Sequence, residues 1–232
     1  MWRRRRYRKR PRRRYAYSRV GFGRIGGAYK RYTLSREKKY VDWYMDDQVT
    51  GWTAIQHAGA AASLVLIPAG TGPKERIGER VYIHSIHARM NFYPEMNNTS
   101  SNSAIALSVR LMLILDKQAN GVQASATEAL EYNNHYSYRN LNNVSRFNVL
   151  FDQTFVIKTD NVSSYTSGIK SFKWNKYLKE PIVVNFGGST GGISEVTSTN
   201  LFWTMSTRQP PAHTGTWNGA SVEGYTRLRF SD

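Results

Sequence analysis

Residues 105–115 read IALSVRLMLIL, in which Ile105, Leu107, Val109, Leu111, Leu113 and Leu115 fall at every second position. A period of two places all six on one face of a β-strand, whereas a helix would scatter them around its axis. The opposite face changes along its length, being polar at Ser108 and Arg110 and apolar at Met112 and Ile114. The pattern therefore predicts a strand whose far end is covered on both sides. Residues 80–93 alternate as well, with Val81 and Ile83 in one phase and Ile86, Ala88, Met90 and Phe92 in the other. The change of phase at Ser85 predicts a bulge or bend in a long strand.

Outward from these two segments, the same alternation marks strands at 39–44, 63–67, 147–151, 154–158, 170–177, 182–186, 201–207 and 222–230. Clusters of turn-forming residues such as MNNTSSNS, GGSTGG and RQPPAHTGTWNG separate them. Only residues 125–132 read as a helix, short and placed in a connection. A count of about eight or nine strands with long loops predicts an all-β sandwich or barrel.

The composition excludes several function classes. The chain has no cysteine, so disulfide-stapled scaffolds, thiolate metal sites and a cysteine nucleophile are ruled out. No apolar run has membrane-spanning length, and a soluble protein with no membrane partner is expected. The formal charge of +17 is concentrated at one end: residues 1–39 hold 17 Lys or Arg against the single acid Glu37. The remaining 193 residues hold 16 basic and 15 acidic side chains. A neutral body with a cationic leader predicts two domains, an arm over 1–39 and a folded body over 40–232, with the arm reaching for something acidic.

Residues 2–14, WRRRRYRKRPRRR, carry nine Arg and one Lys in thirteen positions. Such a segment has little apolar surface to bury and repels itself, so it is expected to be disordered until a polyanion neutralises it. The candidate phosphate ligands are Arg3, Arg4, Arg5, Arg6, Arg8, Lys9, Arg10, Arg12, Arg13, Arg14 and Arg19, with the guanidinium fork favouring phosphate. Lys38 and Lys39 join them where the arm meets the body. Trp2, Tyr7, Tyr15 and Tyr17 are interleaved with the cations. Aromatic rings stacked on unpaired bases contribute roughly 1–3 kcal/mol each, which favours single-stranded nucleic acid. The same basic run fits a nuclear-import signal, and it lacks the apolar core of a secretory signal.

Catalytic and cofactor motifs are weak. GFGRIG at 21–26 matches the dinucleotide fingerprint literally, but the arginine run precedes it where a buried strand is required, so a flexible hinge is expected. GGSTGG at 187–192 lacks the lysine of a phosphate loop and reads as a flexible loop. His84 and His87 form H-x-x-H, yet positions i and i+3 of a strand point to opposite faces, which suits packing better than metal ligation. The carboxylate pairs Asp46 with Asp47 and Glu128 with Glu131 lack calcium-ligand spacing. No enzyme activity, metal or cofactor is expected.

Two sets of residues resemble known families. MWRRRRYRKRPRRRYAYSR at 1–19 resembles the arm of circovirus-type capsid proteins. The body resembles the satellite necrosis virus type of coat, also found in capsids of circular Rep-encoding single-stranded DNA viruses. The resemblance is carried by LVLIPAGTGPKERIGERVYIHSIHARMNF with its G-E-R-V-x-I-x-S-I core, by SVRLMLILDK, and by SATEAL followed by YNNHYSYRNLNNVSRFNVLFDQTFVIK, and spans roughly residues 38–186. It implies an eight-stranded antiparallel jelly roll, a T=1 icosahedral shell of about sixty copies, and single-stranded DNA as the packaged partner. It further implies assembly in the host nucleus with import receptors as partners, a place in the virion, and a host receptor the sequence does not identify. The residues alone leave other classes open: a cellular nucleic-acid-binding protein with a β-barrel body, the coat of an RNA satellite virus, or a lectin- or cupin-like jelly roll bearing a localisation tail.

Overall fold

The structure is a computed structural model that describes residues 38–49, 51–57, 62–96, 105–159, 168–208 and 217–232. Residues 1–34 lie outside the described residues, and the unit Ser35–Asp232 holds every strand described. The elements run β1 (Lys39–Val49), β2 (Thr53–Ala54), β3 (Arg80–Met96), β4 (Ile105–Asp116), α1 (Ala126–Ala129), β5 (Phe147–Thr159), β6 (Lys170–Asn185), β7 (Asn200–Arg208) and β8 (Trp217–Ser231). They form two antiparallel four-stranded sheets, ordered β1-β8-β3-β6 and β2-β7-β4-β5. Every connection crosses from one sheet to the other except β4 to β5, and this is the strand order of a jelly roll.

The alternating residues build the core as their period requires. Leu107, Val109, Leu111 and Leu113 of β4 are fully buried in the same apolar cluster as Ile83, Ile86, Ala88 and Phe92 of β3. Trp203 of β7 has no exposed surface. Its ring lies edge-on to Phe151, Phe172 and Trp174, and its indole N–H donates to Thr226 Oγ1 on β8 at 3.0 Å, so the one polar atom of a large core side chain is satisfied. The phase slip at Ser85 is a register shift in β3, between Ile83 and Ser85, against both β6 and β8.

The far end of β4 is covered on its outer side too. Met112 and Ile114 are fully buried in a second apolar cluster with Ala129, Leu130, Phe147 and Phe202. The long connection 117–146 supplies this roof. Its helix is shorter than 125–132, covering Ala126–Ala129 inside a capping box made by Ser125 and Glu128. Leu130 is already extended and bridges Arg139, which ends the helix.

Other differences from the sequence pattern have local causes. The 63–67 stretch is not a strand: Ser63 makes a single bridge to Phe202, and Ile67 N–H turns back to the Val65 carbonyl at 2.9 Å. Its apolar residues are buried all the same, Leu64, Val65 and Ile67 being sealed from solvent. Segments 147–151 and 154–158 are one strand, because β5 is a sheet edge on which Asp152 and Gln153 pair with β4 while staying exposed. Segments 170–177 and 182–186 are likewise one strand, β6, whose Pro181 sits on an edge where no ladder donor is required. The two-residue β2 is too short to show any alternation.

Candidate nucleic-acid interface

Of the residues proposed from sequence to bind nucleic acid, Arg3 to Arg19 with Trp2, Tyr7, Tyr15 and Tyr17 lie outside the described residues, as does GFGRIG. Lys38 and Lys39 are described, and they differ. Lys38 is exposed. Lys39 is only 3% exposed; its ammonium pairs with Asp232 at 2.8 Å and donates to the Glu75 carbonyl at 3.0 Å. That charge is satisfied inside the body, where it ties the start of β1 to the end of β8.

The outer faces of the two sheets are built differently. On the β2-β7-β4-β5 sheet, the two polar positions of the alternating β4 segment fasten the roof. Arg110 donates in bidentate fashion to Asp152 on β5 at 2.8 and 2.7 Å, and to the His135 and Ser137 carbonyls of the roof at 2.9 and 2.7 Å. The His135 imidazole is held between Ser108 Oγ at 2.9 Å and Ser206 Oγ at 3.1 Å. Burial, with the Arg110 and Arg208 charges beside it, pushes that imidazole down to about 4, so it is neutral near pH 7.

No such roof covers the β1-β8-β3-β6 sheet among the described residues. Its register sets outward-facing side chains in rows. One row runs Tyr44, Tyr225, Arg89, Lys173, and the next runs Asp42, Arg227, His87, Asn175. A third begins Tyr40, Arg229, Ser85, Tyr177. Asp42 accepts from Arg227 Nε and Nη2 at 2.6 and 2.7 Å, and this hydrogen-bonded guanidinium holds its carboxyl below the ordinary range. Arg89, Lys173 and Arg229 make no ion pair among the described residues. These groups line a depression of about 550 Å³. Sequence reading missed them, although R-L-R at 227–229 and Arg89 occupy the polar phase of alternating strands.

The remaining motifs are structural where they are described. The GGSTGG loop already holds an anion of its own chain. The Glu195 carboxylate accepts from Thr190 N–H at 3.1 Å, Thr190 Oγ1 at 2.7 Å and Gly191 N–H at 2.8 Å, and these hydrogen bonds lower its pKa. His84 lies 2.9 Å from Ser231 Oγ, while His87 Nδ1 lies 3.0 Å from Asn175 Oδ1. The two imidazoles thus turn to different partners. Asp47 accepts from the Gln48 and Gln56 backbones, and Glu128 pairs with Arg146. No cluster of three metal-ligating side chains occurs among the described residues, and no helix among them is long and apolar enough to cross a membrane. No protein-family model matches the chain, and no curated protein matches it either.

Proposed function

We propose that the chain is the coat protein of a small icosahedral virus, which assembles with its own copies and packages a nucleic-acid genome through the arginine-rich arm. The observation that carries this reading is the partition of roles along one polypeptide. A leader with 17 cations and one acid precedes a body of near-zero net charge folded as a jelly roll. About sixty arms of +16 turned inward would sum to roughly a thousand charges, so an empty shell is unfavourable and phosphate becomes the co-assembly partner. Binding of this kind is driven largely by counterion release, with little sequence reading.

The roof supports the self-association half of the reading. Tyr132, Tyr136, Tyr138, Leu141 and Val144 are each more than half exposed on this one connection. A concentration of exposed tyrosine and aliphatic surface is unusual for a monomer and suits contact between copies. Single-stranded DNA as cargo, a sixty-copy lattice of about the smallest size, assembly in the nucleus and engagement of import receptors come from the resemblance to circovirus-like coats and belong to the same proposal.

Sedimentation and electron microscopy of the full-length protein test it, with DNase and RNase digestion of whatever copurifies. Uniform particles protecting DNA are expected. A protein that stays monomeric across pH, ionic strength and added oligonucleotide overturns the reading, and protected RNA overturns the choice of DNA.

A further inference from the structure

The roofed sheet and the bare sheet divide the surface of the body into two chemically different halves. On the roofed side, the cations that hold the roof are matched, Arg110 by Asp152 and Arg146 by Asp116 and Glu128, while Lys158 and Arg208 stand singly on β5 and β7. On the bare side Asp42 matches Arg227, while Arg89, Lys173 and Arg229 are exposed and make no ion pair among the described residues. The acids Asp46 and Glu223 stand in the adjoining row, beyond Tyr44 and Tyr225. The depression on this face therefore gathers Arg89, Lys173, Arg227 and Arg229 against the single acid Asp42, a local positive surplus on a body of near-zero net charge.

The register places that surplus usefully. Arg89 stands directly opposite Lys173 on the neighbouring strand, about 5 Å away across the ladder. Arg229 lies four residues along β8 from Tyr225, the partner of Arg89, or about 13 Å. Beside Arg89, on the side away from Lys173, aromatic surface is exposed. Tyr225 is 57% accessible and its ring lies 5.1 Å from that of Tyr44. The mixture of spaced cations and open aromatic rings is the combination that holds single strands, with phosphates on the cations and bases on the rings. A sulfated polysaccharide would satisfy the cations but would leave the rings without a stacking partner. The face is also continuous with the arm along the chain: β1 is an edge strand of this sheet, and Tyr40, opposite Arg229, follows Lys39 directly.

We propose that the bare outer face of the β1-β8-β3-β6 sheet is a second nucleic-acid contact, in which Arg89, Lys173 and Arg229 hold the phosphates of a single strand and Tyr44 and Tyr225 stack on its bases. Taken with the coat reading, on which this part rests, it makes that sheet the one turned to the inside of the shell. The arm then gathers polymer without fixing its path, and the sheet face sets where the strand lies against the shell wall.

Photocrosslinking of full-length protein to an oligothymidylate, with mass-spectrometric mapping, tests the face without any variant. Crosslinks on Tyr44 or Tyr225 are expected. In parallel, the Arg89→Gln, Lys173→Gln, Arg229→Gln triple variant is titrated with the same oligonucleotide at rising salt. Its log–log salt slope should be shallower by about 2, since each phosphate neutralised on a single strand adds about 0.7 to the slope. Crosslinks confined to residues 1–38, or a slope equal to that of the unaltered protein, overturn the proposal. So does heparin binding to intact particles that the triple variant loses, since that places the face outside. Absence of particles with the crosslinks retained overturns the coat reading and leaves the nucleic-acid face standing.

Discussion

The guanidinium of Arg146 closes on both oxygens of the Asp116 carboxylate, at 2.9 and 2.8 Å, where Asp116 has no exposed surface. Asp116 ends β4 and Arg146 immediately precedes β5, so the pair bolts together the two ends of the long roof connection. The third guanidinium nitrogen, Nη1, donates to Glu128 in α1 at 2.8 Å, and the cation lies 4.6 Å from the centre of the Phe147 ring. Removing Arg146 would leave a buried carboxylate without its counter-charge, a change that costs about 3–5 kcal/mol where no water can enter. Arg146→Ala is expected near the lower end, because its own side chain is 30% exposed and solvent can partly compensate. Urea unfolding of the two proteins measures this, and Asp116→Asn combined with Arg146→Ala should recover a substantial part of the stability.

The body should weaken on acidification, starting above the range in which carboxylates titrate. His135 is buried between Ser108 and Ser206 with its pKa pushed down to about 4 from 6.5, and burial lowers the His57 imidazole as well. A group with a depressed pKa in the folded state binds its proton first in the unfolded chain, so folding stability rises with pH between the two values. Stability is therefore full above about pH 6.5 and falls as pH drops toward 4. For His135 alone the decrease is on the order of 3 kcal/mol, at 1.36 kcal/mol per unit. Asp42 and Glu195, both lowered by hydrogen bonds, act in the same direction at lower pH still. Melting temperature followed from pH 7.5 to 4.5 checks the sign, and His135→Gln should flatten the curve.

Arg110 is expected to control the roof without controlling the core. Its side chain supplies two hydrogen bonds to roof carbonyls and two to Asp152, while the residues beneath it are packed independently in the main cluster. Arg110→Ala should raise amide hydrogen exchange across residues 130–140 by an order of magnitude or more, corresponding to about 1.4 kcal/mol or more. Exchange in β3 and β8 should stay unchanged. Uniform loss of protection throughout the body would show that roof and core open as one unit.

What could be seen in the sequence and what could not divide along a physical line. A strand buried on one face announces itself, and β4 with its apolar far end, β3 with its bulge at Ser85, and a short helix in the connection after β4 all follow from local pattern. The 63–67 stretch misled because complete burial, not strand geometry, selected its apolar residues. β5 and β6 each read as two segments because edge strands tolerate polar residues and proline in mid-course. The cations on the sheet face are a different matter. Arg89, Lys173 and Arg229 come from three strands, each the polar member of an ordinary alternation, and only the antiparallel register gathers them. A tail with unbroken RRRR is conspicuous on its own; a patch assembled from single residues far apart in the chain is not.

The pairing of Lys39 with Asp232 decides where the arm can be cut. Removing residues 1–37 leaves β1 whole, with Lys39 still bound to Asp232 at 2.8 Å and to the Glu75 carbonyl. Removing residues 1–39 takes that ammonium away, leaving the Asp232 carboxylate without its counter-charge and the first β1–β8 pair, Lys39 with Phe230, unmade. The shorter deletion should therefore melt with the full-length body, whereas the longer one should melt several degrees lower, as a destabilisation of about 1 kcal/mol shifts a domain of this size by about 2–4 °C. Both should lose most nucleic-acid retention, because the leader holds nearly all the excess charge. The residual binding of the shorter deletion should keep a shallow salt slope, since a site made by three cations releases few counterions. If that deletion retained the steep slope of the intact protein, the arm could not be the principal site of phosphate neutralisation.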